Sequence, residues 1–207
     1  MAKLFDVIDD RLAAWIGRQR IFFVGTAPSG TDGHVNVSPK GDMGTFKILD
    51  ERRVTYADFL GSGVETIAHL RDNGRIVVMF CAFEGPPRVV RLHGSGRVYD
   101  RGEDGFDEQL DSFDPSILPH EGVRSVIEVQ VTRIADSCGF GVPLMSYEGD
   151  RTQYTDWAAS QHRRHGPDAL RAYEQQNNRR SIDELPGVPS RDDVATTAAQ
   201  SHWGRKL

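Results

Sequence analysis

Four short stretches hold residue types whose spacing could support chemistry. In "HVNVSPKGD" (34 to 42) an alternating run breaks at a proline and then offers a hydroxyl, a cation and a flexible backbone at Ser38, Lys40 and Gly41. A strand, a proline-set turn and a solvated lysine account for this without a ligand. The functional reading gives Ser38 and the local amides to the edge of a flat heterocycle, with Lys40 as a cation for a phosphate or a reduced, anionic ring. In "LGSGVETIAHL" (60 to 70) Ser62 stands three residues before Glu65 where a helical pattern begins, the spacing of a capping box. The same glycine-flanked helix start exposes amides and the positive end of a dipole to a phosphate. Thr66 would add a hydroxyl there, while the Glu65 carboxylate would compete with an anion for the amides.

Two further stretches are basic. Arg88 and Arg91 in "PPRVVRLHG" fall on opposite faces of a strand by alternation, and His93 shares the Arg91 face. One arginine is then turned inward or toward a partner, in a rim salt bridge or on an anion. "HRRHG" sets His162 and His165 three apart on a helical stretch, a spacing a metal could use. It has no third ligand nearby and reads as a solvated basic face. No Ser-His-Asp or Cys-His constellation stands out.

The elements that must position these residues are mostly strands. Runs at 21 to 27, 34 to 38, 52 to 59, 75 to 83, 88 to 99 and 124 to 137 are rich in β-branched and aromatic residues and are separated by turn formers such as "PSGTDG" and "EGPP". Leu4, Phe5, Ile8, Leu12, Trp15 and Ile16 form a helical stripe that ends near Gly17, and residues 64 to 74 suit one short crossover helix. Many strands and few helices point to an antiparallel barrel rather than a doubly wound sheet. After about residue 148 the chain turns polar and helix-prone, so the reading is a barrel domain over 1 to 147 and a helical extension with a polar tail over 148 to 207.

With 207 residues and 38% hydrophobic content, the chain can bury one good core. A net charge of -5 gives no field to attract nucleic acid or anionic lipid. No apolar run reaches membrane-spanning length and the first residues lack a secretion-signal layout, so the expected location is the cytoplasm. Cys81 and Cys138 lack the paired spacing of a metal or redox motif and read as reduced thiols, the first in the core.

The order of "FFVGTA", "VNVSPKGD", "VTYADFLGSGVETIAHLRDNGRIVVMFCAF" and "PPRVVRLHGSGRV" resembles the pyridoxamine 5'-phosphate oxidase-like family of flavin-binding split β-barrels over roughly residues 4 to 140. It is most similar to the subgroup of pyridoxamine oxidase-related FMN-binding proteins. The resemblance implies a mainly β fold with flanking helices, a six-stranded antiparallel split β-barrel, paired as a homodimer with FMN in a groove between subunits. It implies an oxidoreductase exchanging a hydride between flavin and a small substrate. The open alternatives are a non-catalytic flavin-binding or redox-sensing module, or a deazaflavin- or haem-binding relative.

Carried over residue by residue, Val37, Ser38 and Lys40 would lie along the flavin ring, and Tyr56 and Ala57 by the ribityl chain. Ser62, Gly63, Thr66 and Arg91 would address the phosphate or its surroundings. Trp157 of the other subunit would close over the ring; for the extension itself a lid, a dimer arm and mere packing are open, with the dimer arm preferred. Two departures stand out. Glu65 and Thr66 occupy the places of an adjacent basic pair, and only "HWGRKL" answers the family's Trp-bearing last strand and substrate-binding arginine.

Overall fold

The computed structural model describes residues 3–114 and 122–190; the tail from 191 onward, with "HWGRKL", lies outside the described residues. Eight strands and five α-helices follow in the order β1 (Lys3–Phe5), α1 (Asp10–Ile16), β2 (Ile21–Thr26), β3 (Asn36–Gly41), β4 (Phe46–Asp50), β5 (Arg53–Phe59), α2 (Glu65–Asn73), β6 (Arg75–Cys81), β7 (Val89–Asp100), α3 (Phe106–Leu110), β8 (Val123–Ser137), α4 (Gln153–His165) and α5 (Ala169–Asn177). The strands form one antiparallel sheet in the order β3-β2-β6-β7-β8-β5-β4, with β1 paired to β8.

Aromatic side chains roll this sheet into a split barrel. Phe46 on the β4 edge brings its ring to 5.2 Å from Phe22 of β2 and 5.2 Å from Phe80 of β6, and Tyr56 of β5 meets Phe22 edge-on at 5.5 Å. Strands far apart in the pairing order are thus held around one interior. Phe22, Phe80 and Tyr56 are fully buried, and burial of a side chain of this size contributes about 1.5–3 kcal/mol. The helix α2 lies across the sheet through Leu70, which sits so close to Gly96 of β7 that a Cβ there would come within 2.7 Å of Leu70 Cδ2. The second "GSG" of the sequence therefore serves packing.

Three expectations are corrected. The sheet has eight strands, not six: β4 is a five-residue strand after a single 3-10 turn, and residues 3–5 pair with Asp136–Ile134 instead of opening a helix. The first helix starts at Asp10 because the Asp9 carboxylate accepts from the Leu12 amide at 2.7 Å and caps it. The strand expected to stop at Ser38 runs through Pro39 to Gly41, which β3 tolerates because it is a sheet edge and need not donate at every position.

The extension forms α4 and α5, which dock through Ala158, Leu170, Trp157 and Tyr173 around Leu60. Among the described residues no helix is long and apolar enough to cross a membrane.

Candidate functional site

Edge strand β3 is inverted. Asn36, Ser38 and Lys40 turn toward the body of the protein, while Val37, 64% exposed, and Pro39 face outward, continued by Val35 at 73%. An amphipathic strand normally buries its apolar side. The polar side chains behind β3 do not stand alone; they enter two buried networks.

The first network is charged. Asp58 on β5 is fully buried and accepts from Lys40 Nζ at 2.7 Å and from Arg124 Nε at 2.8 Å. Arg124, at the start of β8, also donates to the Gly63 carbonyl at 2.7 Å and to Asn178 Oδ1 at 2.9 Å, and Asn178 Nδ2 donates to the Gly61 carbonyl at 2.9 Å. Burial alone would raise the Asp58 carboxyl, but Arg124 and Lys40 outweigh it and hold its pKa at about 2. Two cations and one carboxylate leave one net positive charge beneath β3.

The second network is neutral. Asn36 Nδ2 donates to Thr66 Oγ1 at 3.0 Å and to Thr26 Oγ1 at 3.3 Å, and Ser38 Oγ donates to Asn36 Oδ1 at 3.0 Å. Thr26 Oγ1 and His69 Nδ1 are 3.0 Å apart, while His69 Nε2 is buried without a partner. Burial pushes the His69 imidazole down, against the pull of Asp183, Glu65 and Asp72, so the ring is neutral.

The site residues expected from sequence divide accordingly. Ser38 and Thr66 meet through Asn36, and Lys40 and the Gly63 carbonyl meet through Asp58 and Arg124. Tyr56 is enclosed in the barrel core with its hydroxyl unpaired, and Ala57, 3% exposed, packs with Tyr99, Phe106 and Val126 on the other face of β5. Neither opens onto a groove in this chain. Arg91 sits on the sheet rung of Met79 and Ala135 and donates to Ser137 Oγ at 3.1 Å, away from the start of α2. Arg88, on the opposite face as alternation requires, pairs with Asp136 at 2.9 Å and covers the Trp15 ring at 4.6 Å. Trp157 stacks within its own chain, between Tyr154 and Tyr173 at 5.9 and 5.1 Å. His162 and His165 are exposed in the last turn of α4.

The capping box does not form. Val64 is the N-cap of α2 and no side chain caps it; Ser62 is exposed, and Glu65 Oε1 instead accepts from the Ile182 amide at 3.3 Å. The reason is tertiary: residues 178–188 pack against this helix start, and the Gly187 and Val188 amides bond to the Arg179 and Asn178 carbonyls at 2.8 Å each. Residues 34 to 41 and 62 to 66 therefore fit a flavin unequally. A half-buried polar rail and a positive charge suit the ring, but a covered helix start with an acid does not suit the phosphate.

Asp58, Arg124, Asn178, Asn36, Thr26 and His69 are the participants that motif spacing did not single out. Asp58 carried a legible signal, since alternation from Val54 and Tyr56 puts it on the same face of β5 as those core residues. A separate cleft of about 810 Å3 opens between Ile21 and Asp42 on one side and Met145, Tyr147 and Tyr154 on the other. Among the described residues no group of three His, Cys, Asp or Glu is placed to hold a metal.

Comparison with known proteins finds relatives in sequence and more distant ones in structure. Over 200 residues the chain is 38% identical to the pyridoxamine 5'-phosphate oxidase family protein ustO of Aspergillus flavus, covering 92% of this chain and 79% of that protein. Solved structures align more distantly. A FAD-binding protein from Mesorhizobium loti matches at 13% identity and a TM-score of 0.47, covering 66% of this chain and 96% of that one. A protein related to general stress protein 26 from Clostridium acetobutylicum matches at 10% and 0.47, covering 62% and 86%. The sequence pattern described as pyridoxamine 5'-phosphate oxidase matches residues 8–138, the span from the first buried turn to the end of β8, and by that match and the fungal relative the chain belongs to the pyridoxamine 5'-phosphate oxidase family.

Proposed function

We propose that this protein binds a flavin-type cofactor along β3 and acts as an oxidoreductase on a small substrate. The observation that carries the reading is the inversion of β3. An edge strand that turns Val35, Val37 and Pro39 outward and keeps Asn36, Ser38 and Lys40 half-buried behind them presents a flat apolar strip bordered by polar groups. A planar heterocycle covers such a strip and takes hydrogen bonds at its edge.

The charge fits as well. The net positive charge of Lys40, Asp58 and Arg124 lies under the strip in a poorly solvated place, where it favours the anionic state of a reduced ring. A bound flavin supplies hydride exchange at its ring, and the chain supplies orientation and this field. Asp58 holds the Lys40 ammonium in place, and Asn36 fixes the Ser38 hydroxyl. FMN is the cofactor form that the family resemblance implies.

The working unit in this reading is a homodimer in the cytoplasm, with a second copy closing the outward side of β3. Phe140, Leu144 and Met145, which are 81%, 78% and 58% exposed in the segment after β8, are further exposed apolar side chains of the kind an interface covers.

The test is an absorbance spectrum of the purified chain after adding flavin and desalting. Retained flavin bands, lost in Val37→Glu and bleached by a reductant with repeated turnover, are the expected result. A wild-type protein left colourless would remove the reading, and bands that never turn over would reduce it to a flavin-binding module.

A further inference from the structure

The start of α2 is where the family resemblance places a cofactor phosphate, and three observations show that place already taken. The first is an acid. Glu65 opens the helix and its side chain folds back so far that a Cβ on Gly63 would run into its Oε2, while its Oε1 accepts from the Ile182 amide at 3.3 Å. A carboxylate thus stands at the positive end of the helix, where a bound anion would otherwise stand.

The second is a cover. Val64 is fully buried, and Gly187 lies so near it that a Cβ there would come within 2.8 Å of one Val64 methyl and 2.9 Å of the other. The carbonyls on either side of Ser62 are held from beneath, Gly61 by Asn178 and Gly63 by Arg124, so the loop cannot swing open without breaking the charged network. The third is the hydroxyl. Thr66 is 3% exposed and its Oγ1 already accepts from Asn36. The nearby guanidinium of Arg124 is committed to Asp58, Gly63 and Asn178.

We infer that Glu65 is a specificity-determining residue that closes this helix start to phosphate: it supplies the anion internally and latches residues 178–188 over the amides. For the identity of its ligand the inference rests on the flavin reading. It deepens that reading by stating what the chain selects, which is the ring and not the phosphate. Riboflavin and FMN then bind with similar affinity, and the phosphate of FMN points away from α2.

The full chain is titrated with FMN and with riboflavin, followed by flavin fluorescence, as wild type and as Glu65→Gln. Glu65→Gln keeps the side-chain shape at a half-exposed position, and a thermal melt confirms that it is folded. Dissociation constants for FMN and riboflavin within about fivefold in the wild type, with a gain of more than about fivefold in FMN preference in Glu65→Gln, are the expected result. A wild-type preference for FMN above that ratio, or no gain in the variant, overturns the inference and leaves the flavin reading standing.

If neither flavin binds, the flavin reading fails, and inorganic phosphate decides the inference alone. Amide resonances of Gly63, Val64, Glu65 and Thr66 are followed up to about 50 mM phosphate, above the millimolar range of weak sites. A saturable shift in Glu65→Gln and none in the wild type supports it. A saturable shift in the wild type, or none in the variant, overturns it.

Discussion

Two polar networks lie behind the same edge strand and are built on opposite principles. In the charged one every hydrogen-bonding group named around Asp58 has a partner, and two cations converge on one carboxylate. In the neutral one, hydroxyls and an amide pass a few bonds among themselves and leave His69 Nε2 unpaired. The difference teaches where rigidity is placed. Removing one member of the charged network strands a buried charge, whereas removing Ser38 or Thr66 from the neutral network loses a single modest bond.

The comparison breaks most readily at Asp58. Asp58→Ala leaves Lys40 and Arg124 without their shared anion and is expected to cost about 3–5 kcal/mol in urea unfolding; a loss below about 1 kcal/mol would show that the cations re-pair elsewhere. The acid limb of the stability curve comes next. The folded Asp58 pKa is depressed to about 2, so its stabilisation is complete above the unfolded value near 4 and disappears as pH falls through the folded one, a change of about 2 kcal/mol. Asp58→Asn should flatten the curve over that window, and an unchanged acid limb would mean the pair is not the source.

The neutral network titrates elsewhere. A histidine held neutral has a folded pKa below its unfolded value near 6.5, so its contribution is present above that value. It falls away as pH drops toward the folded pKa, at no more than about 1.4 kcal/mol per pH unit. Below pH 6.5 the wild type should lose stability that His69→Gln does not. Thr66→Val removes one acceptor for Asn36 and should cost about 0.5–1.5 kcal/mol in a thermal melt. The smallest effect belongs to Ser62→Ala, within about 0.5 kcal/mol, because the hydroxyl caps nothing; a loss near 1 kcal/mol would revive the capping box.

Much of the barrel was legible because alternation reports burial directly. The runs that became β2, β5, β6, β7 and β8 were found with ends within two residues, and Gly74, with a φ of 73°, ended α2 as its position suggested. What failed were features decided by partners distant in sequence. Leu4 and Phe5 fit a helical stripe, yet β8 recruits them as a strand. Ser62 and Glu65 have the spacing of a cap, yet the turn at 181–188 draws Glu65 away.

The site was half legible for the same reason. Ser38, Lys40, Gly63 and Thr66 do converge near one another, since β3 and the start of α2, both recognisable in sequence, carry them. Asn178 could not be anticipated, because nothing local to it points to Arg124 some fifty residues earlier. Tyr56 entered through the family resemblance alone, and its place in the alternation puts it on the Val54 face in the core.

The bond between Arg124 and Asn178 also has a consequence in time. A ribosome exposes β3, β5 and α2 long before it exposes residue 178, so until then the Gly61 carbonyl lacks its Asn178 partner and Arg124, which holds the Gly63 carbonyl, lacks its own. The pairing of β1 with β8 spans an even longer stretch of chain. Contacts of such range are slow to close, so the Gly61 carbonyl is fastened only after β5 and α2 have been made, by the same segment that shuts the helix start.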